Sequence, residues 1–336
     1  MDVMQLFLDS SSLITDGSAL AERMRRDGYL FLPGLLPRDD VAAVQRQIAE
    51  IAREARWLRP DRPVQEAIAD LSGFCVDPDP TYLKTLRRIN RLEDYHALKH
   101  HPVLIDLLER MLGGAILPHP RVLMRNIFPQ RDEYTTKAHQ DYPNVQGTTE
   151  VYTAWMPLID CPLHVGPLQI AAGSHTSGVY DFGIAGGAGG IEITDPFEGR
   201  WVCGDFAAGD VLLFHSMTVH KGLPNRSDRL RMSMDVRYQL ASEPFNIDNA
   251  NPDGQPLSWE EVYADWHSDA LKYYWRRLPL TLQSFDPQWF DKRDALGFEL
   301  GEAGDQRARS VLQRIVARDA NPEKRARAQK LLDALP

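Results

Sequence analysis

Three cysteines in 336 residues, Cys75, Cys161 and Cys203, stand far apart and form no Cys-x-x-Cys pair. That excludes a disulfide framework and a thiolate zinc site as the organising device, and it suits a reducing cytoplasm. No apolar run approaches membrane-spanning length, and Met1-Asp2-Val3-Met4-Gln5 lacks a basic region leading into an apolar stretch with a cleavage site. The expected location is therefore cytoplasmic, with no membrane partner. Positive charge is also in short supply: 38 Lys and Arg against 47 Asp and Glu leave a net charge of −9, which argues against nucleic acid as a partner. There is no internal repeat and no clear domain boundary. What remains is an ordinary globular composition, 43% hydrophobic and 25% charged, on a chain long enough to bury a large core without staples.

The chain reads as three stretches within one domain spanning residues 1–336. In the first, 19–120, a short helix over Ala19–Arg26 leads into an apolar strand at Gly28–Pro33. Pro37 and the acids Asp39 and Asp40 then open a helix whose Val41, Val44, Ile48 and Ile51 recur at helical spacing through Ala55. Trp57–Pro80, rich in proline and aspartate, reads as irregular. A second helix over Leu98–Leu112 buries Leu104, Leu107, Leu108 and Met111 and stops at Gly113-Gly114. In the second stretch, 121–240, short β-prone runs (Val122–Phe128, Val151–Leu158, Val211–Phe214, Met232–Tyr238) alternate with turn residues, the texture of an antiparallel barrel or sandwich. Gly183–Gly190, with five glycines, reads as a flexible loop. The third stretch, 241–336, is a helical extension, with patterns at Ser258–Trp266, Ala270–Trp275 and Gln306–Leu335, the last broken near Asn321-Pro322. The expected fold class is α+β, a mainly β core with flanking helices.

His139-Gln140-Asp141 is the first triplet with chemistry in it, because residues two apart on a strand share a face and present an imidazole and a carboxylate together. Alone it is a weak signal. The run from Gly209 to Arg231 supplies the rest: a strand, a histidine, a turn, and a basic strand start. Two histidines and one carboxylate on one face of Fe(II) leave positions open for O₂ and a bidentate co-substrate. His220 is the expected third ligand. His215 competes, but alternation from Phe214 places it opposite Ser216, Thr218 and His220. Arg231 offers a guanidinium fork for the distal carboxylate of 2-oxoglutarate, and Ser233 shares its face. Asn126, Gln130, Tyr134, Lys137, Tyr142 and Gln146 surround the first ligand segment, as substrate or co-substrate contacts or as hydrogen-bonded scaffold. Arg237 has the parity of Arg231 and reads as a salt bridge at the barrel rim ahead of an anion contact.

These residues, taken in order, resemble the phytanoyl-CoA dioxygenase family of Fe(II)- and 2-oxoglutarate-dependent oxygenases. The resemblance runs from about Gly28 to Tyr238. It is carried by Asp27-Gly28-Tyr29-Leu30-Phe31-Leu32-Pro33-Gly34-Leu35-Leu36, His139-x-Asp141, Trp155-Met156-Pro157-Leu158, Gly166-Pro167-Leu168 leading to Gly173-Ser174-His175, and Gly209-Asp210. His220 and Pro224-Asn225-Arg226-Ser227-Asp228-Arg229-Leu230-Arg231 complete it. The resemblance implies a double-stranded β-helix (jelly-roll) core, His139, Asp141 and His220 as iron ligands, Arg231 as 2-oxoglutarate anchor and Trp155 as a wall of that pocket. Ala172 and Gly222 depart from the family's usual residues, and neither touches the metal. Asp141 implies hydroxylation ahead of halogenation, since halogenating relatives carry a small residue there.

The implied activity is hydroxylation of an unactivated C–H bond of a small molecule, a secondary metabolite or an amino-acid-like compound, by a monomer or homodimer using Fe(II), 2-oxoglutarate and O₂. Desaturation or cyclisation by the same chemistry, a non-catalytic metal-binding barrel and a cupin-like enzyme of another metal are the alternatives. His175 reads as a turn residue, His164 as surface loop, and His100-His101 as a helix border.

Overall fold

The computed structural model describes residues 5–186, 190–252 and 257–336. The reading of the chain start falls partly on residues 1–4 and that of the glycine run partly on 187–189, and both stretches lie outside the described residues. In chain order the strands are β1 (Gln5–Leu6), β2 (Tyr29–Leu32), β3 (Ile116–Ile127), β4 (Tyr152–Pro157), β5 (Leu168–Ala171), β6 (Gly183–Ile184), β7 (Ile191–Glu192), β8 (Trp201–Cys203), β9 (Val211–His215), β10 (His220–Gly222), β11 (Arg231–Leu240), β12 (Phe245–Asn246) and β13 (Leu282–Gln283). The helices are α1 (Gly17–Asp27), α2 (Arg38–Glu54), α3 (Pro80–Ile89), α4 (Glu93–Ala97), α5 (Pro102–Leu112), α6 (Tyr142–Val145), α7 (Trp259–Val262), α8 (Gln288–Glu302), α9 (Arg309–Arg318) and α10 (Pro322–Ala334).

Two sheets form the core. The larger has the order β2-β9-β4-β11-β3 with antiparallel neighbours throughout, and the smaller has the order β1-β8-β5-β10. The sheets remain separate and do not close into a barrel, so the chain is an open jelly roll with flanking helices, the α+β class expected from the sequence. Residues paired directly across an antiparallel ladder lie on the same face. The register therefore puts Phe214, Thr153, Trp155, Arg231, Ser233, Asp235 and Arg237 on the inner face, toward the smaller sheet. The alternate set, Leu213, Ala154, Met232, Met234 and Val236, enters one core with Val41, Val44 and Ile48 of α2 and Leu104, Leu107 and Leu108 of α5. Each such side chain contributes about 1.5–3 kcal/mol by leaving water.

The helix ends follow the local sequence. Asp16 caps α1, accepting from the Ala19 amide, and the helix stops at Gly28 with φ +77°. A Cβ at Gly28 would meet His175 Nδ1 at 2.5 Å and Thr218 Oγ1 at 2.8 Å, so glycine is required twice over. The Gly28 carbonyl accepts from Thr218 Oγ1 at 2.8 Å, which ties the entry of β2 to the turn before His220. Trp57–Pro80 is irregular apart from two short 3-10 turns, as read, but α3 and α4 follow it where the sequence reading placed no helix. The helix expected from Leu98 begins at Pro102, since Leu98–His100 winds as a 3-10 turn and proline takes the first α position.

The C-terminal region packs in two parts. Trp259, Trp266 and Trp275 form an aromatic cluster with Leu117 and Phe245. Helices α8, α9 and α10 share a second cluster that reaches Ile184 of the β6–β7 hairpin, and Arg314 of α9 bonds Asp77 at 3.1 Å. Helix α8 was not anticipated. Its interior holds Gly297 and Gly301, poor helix formers, and a Cβ at those positions would lie 2.6 Å from Val311 Cγ1 and 3.1 Å from Leu312 Cδ1. The glycines permit close approach of α9, and that tertiary gain outweighs their propensity. Cys75, Cys161 and Cys203 are buried and unpaired. Among the described residues no helix is long and apolar enough to cross a membrane.

Candidate metal and co-substrate site

The histidine of the His139-Gln140-Asp141 triplet does not lie in either named sheet. His139 makes an isolated antiparallel bridge to His220, with amide-to-carbonyl bonds of 3.0 Å in both directions, and Asp141 is already the N-cap residue of α6. The expected strand is thus one bridge long, yet the face-sharing it was invoked to explain survives. Gln140 turns the other way, its Nε2 donating to the carbonyls of Met217 and Gly178. His139 and Asp141 come together with His220, and one potential ligand atom from each lies within 4.8 Å of the others. The two imidazole centroids are 4.2 Å apart, and His220 Nε2 is 4.0 Å from Asp141 Oδ1.

The structure places His220, and not His215, in the cluster, for a different reason from strand alternation. His215 ends β9 in the larger sheet, the chain turns through Ser216–Val219, and His220 starts β10 in the smaller one, so parity does not carry across. His215 instead points Nε2 at Glu150, 3.5 Å away, and accepts the Met217 amide on Nδ1. His175 has its Nε2 on the Arg25 carbonyl and takes no part in the cluster.

Both cluster histidines are locked in one tautomer by their own backbone. His139 Nδ1 lies 2.8 Å from the Lys137 carbonyl and His220 Nδ1 lies 3.0 Å from the Thr218 carbonyl, each two residues upstream. Carbonyls only accept, so Nδ1 carries the proton and Nε2 keeps its lone pair for a metal. Burial disfavours the imidazolium of both, holding His139 down to about 3 and His220 below its ordinary value. Burial pushes the Asp141 carboxyl up, but the Arg237 guanidinium, aided by the Thr153 hydroxyl, overcomes this and leaves it well below the usual carboxylate range. Thr153 Oγ1 donates to Asp141 Oδ2 at 2.6 Å and Arg237 Nη2 to Oδ1 at 2.9 Å. The site therefore offers two neutral nitrogens and one ionised carboxylate, the donor set that suits Fe(II). Arg237 forms the expected salt bridge, although deep beside the cluster and not at a rim.

A cavity adjoins these three residues, lined by Trp155, Phe214 and Arg231 from the larger sheet and Leu168 from the smaller. Arg231 is buried, and among the described residues it makes no carboxylate ion pair. It donates through Nη1 to the Gly166 carbonyl, and its Nε has no partner. Trp155 Nε1, Ser233 Oγ and Arg237 Nε are likewise buried without partners. Such groups are costly unless something satisfies them, and a cluster of unsatisfied donors on one face fits an oxygen-rich anion such as 2-oxoglutarate.

Asn126 is on the wrong face for that role. It pairs with Met232, and residues so paired lie on the helix side of the sheet, whereas Arg231 and Ser233 pair with Ile127 and Arg125 on the inner side. Sequence alone does not contain the β3–β11 register, which is what separates Asn126 from its neighbour Arg125. It also passed over Thr153, Phe214, Arg125, Asp235 and Thr136, all of which line the cavity. Parity with Trp155 would have found Thr153.

A family model described as phytanoyl-CoA dioxygenase (PhyH) matches residues 24–233. The chain is similar to a 1-deoxypentalenic acid 11-beta-hydroxylase of Streptomyces exfoliatus, 27% identical over 271 residues that cover 75% of this chain and 91% of the relative. It is also similar to an L-proline trans-4-hydroxylase of Streptomyces griseoviridis, 26% identical over 245 residues, 64% of this chain and 84% of the relative. Among solved structures it matches the epimerase SnoN in complex with Fe³⁺, alpha ketoglutarate and nogalamycin RO, at 26% identity, 68% coverage of this chain and 85% of the other, with a TM-score of 0.45.

Proposed function

The chain belongs to the phytanoyl-CoA dioxygenase family and is an Fe(II)- and 2-oxoglutarate-dependent oxygenase acting on a small molecule, and from that premise we propose which residues do the work and on what. His139, Asp141 and His220 hold the iron, Arg231 holds the distal carboxylate of 2-oxoglutarate, and Ser233 and Trp155 offer it further donors. The reaction is hydroxylation of an unactivated C–H bond in a secondary metabolite or an amino-acid-like compound, the kinds of molecule named for the two hydroxylase relatives. The observation that carries this reading is the juxtaposition of a two-histidine, one-carboxylate cluster, buried except for a half-buried His139, with a buried arginine that has no carboxylate of its own.

Bound iron would supply the activation of O₂ that couples oxidative decarboxylation of 2-oxoglutarate to oxygen insertion. The chain's own residues set the stage for it. The Lys137 and Thr218 carbonyls aim the two Nε2 atoms. Thr153 and Arg237 fix both oxygens of Asp141, so the carboxylate cannot rotate away. Trp155, Phe214 and Leu168 exclude water from the reacting centre. Asp141 would be the carboxylate ligand to bound iron, where halogenating relatives carry a small residue, which favours hydroxylation.

Anaerobic loading of the chain with Fe(II) and 2-oxoglutarate, followed by O₂ and a mixed metabolite extract, is expected to give succinate and a product heavier by one oxygen, with inhibition by N-oxalylglycine. Metal binding with no succinate under any condition would favour the non-catalytic barrel, and turnover indifferent to N-oxalylglycine would favour an enzyme that does not use 2-oxoglutarate.

A further inference from the structure

The residues assigned to iron and 2-oxoglutarate leave two charged side chains in the same cavity without a role, Arg125 of β3 and Asp235 of β11. In the β3–β11 ladder Arg125 pairs with Ser233, so it reaches Asp235 diagonally, and its Nε donates to Asp235 Oδ2 at 3.0 Å. The Arg125 side chain is 31% exposed and that of Asp235 11%. Neither Nη of Arg125 has a hydrogen-bond partner among the described residues, and neither is among the sealed donors that include Arg231 Nε and Arg237 Nε. The guanidinium is held from one side and offers its fork to whatever enters.

Charge balance says what should enter. Arg125 and Arg231 line the cavity with Asp141 and Asp235, and Arg237, bonded to Asp141 next to the lining, makes three cations against two anions. The histidines are neutral, and the two positive charges of Fe(II) cancel the two negative charges of 2-oxoglutarate. The loaded site therefore keeps one positive charge in a poorly solvated space, where uncompensated charge is costly. A monoanionic substrate neutralises it. A zwitterion leaves the excess in place, and a polyanion such as a coenzyme A thioester overshoots it. The fork of a guanidinium matches a carboxylate bidentately, and Leu168, Phe214 and Trp155 offer apolar surface to the rest of the molecule.

We propose that the Arg125–Asp235 pair is the substrate-selecting subsite of this enzyme and that the substrate is a monocarboxylic acid with an apolar body, its carboxylate on the Arg125 fork. Asp235 acts as a positioning residue that holds the guanidinium through Nε. The inference rests on the iron and 2-oxoglutarate reading and narrows its substrate from the wider class of secondary metabolites and amino-acid-like compounds.

The test uses the full chain loaded with Fe(II) and 2-oxoglutarate and a panel of terpenoid and arylalkanoic acids, each paired with its methyl ester and with a matching α-amino acid. Succinate formation is the readout. Acids are expected to stimulate it and their esters and zwitterionic counterparts are not. In Arg125→Gln the half-saturating concentration of the best acid should rise on the order of tenfold or more, and the acid-to-ester ratio should collapse, with partial rescue by Arg125→Lys. Asp235→Asn, whose amide oxygen still accepts from Arg125 Nε while the competing negative charge is gone, should lower that concentration, and this opposite sign keeps the test decisive if Arg125→Gln folds poorly. The proposal is overturned if no acid in the panel stimulates turnover, if esters match acids, or if Arg125→Gln keeps the wild-type ratio. Should wild type show no 2-oxoglutarate-dependent absorption with Fe(II) under anaerobic conditions, the parent reading fails and this one with it. If that absorption is present and the acids fail, this proposal alone falls.

Discussion

Arg231→Met is expected to weaken the use of 2-oxoglutarate severely while leaving the protein as stable as before or more stable. The guanidinium is buried, desolvation lowers its pKa, and its one hydrogen bond is to the Gly166 carbonyl. Replacing a buried charge that lacks an opposite partner by an apolar side chain of similar length removes its desolvation cost, so stability is unchanged or raised. The same change removes two charge-assisted hydrogen bonds to the co-substrate carboxylate, together worth about 3 kcal/mol or more, a rise in the KM for 2-oxoglutarate on the order of a hundredfold or more. Arg231→Lys should fall between, keeping the charge and losing the fork. Thermal denaturation and 2-oxoglutarate saturation curves on the same preparations check both halves. A scaffold arginine would show the reverse pattern, a loss of stability with the KM unchanged, and that result would remove Arg231 from the site.

Asp141→Ala should lose iron binding and stability together, for separable reasons. The ligand is gone, and Arg237 is left as a buried cation facing no anion, a change that costs about 3–5 kcal/mol. The double variant Asp141→Ala, Arg237→Met should recover most of that stability and none of the metal affinity. Denaturation midpoints and Fe(II) titrations across the wild type, the single variants and the double variant isolate the coupling between the two side chains. If Asp141→Ala alone still makes succinate in an iron-dependent way, the carboxylate is not a ligand. If the double variant is no more stable than the single one, the Arg237 contact is not what the destabilisation reports.

The parts of the fold visible in the sequence were those that local chemistry dictates. The apolar period of α2, the proline and acids at its start and the glycine that ends α5 are each decided within a few residues, and Val41, Val44 and Ile48 are buried as their spacing requires. Helix α8 was invisible because Gly297 and Gly301 answer to the distant Val311 and Leu312, and no local pattern reports a contact across that gap. The candidate site divides the same way. His139, Asp141, His220 and Arg231 sit in short ordered motifs that single them out as candidates, and the structure brings potential ligand atoms of the first three within 4.8 Å of one another. Trp155 and Ser233 came from motif and parity, both of which hold within a single strand. Asn126 failed because choosing between it and Arg125 requires the pairing of two strands more than a hundred residues apart. Thr153 and Arg237, which fix the carboxylate, also meet Asp141 only through tertiary contact.

The most direct test is an anaerobic absorption titration of the chain with Fe(II) and then 2-oxoglutarate. Chelation of the iron by the 2-oxo acid should produce a visible charge-transfer band that saturates at one equivalent of each. The band should vanish in His139→Ala and His220→Ala and require far more 2-oxoglutarate in Arg231→Met. A wild-type protein that binds Fe(II) without developing the band, or a band of full strength in His220→Ala, would contradict the assignment of this cluster as the metal and co-substrate site.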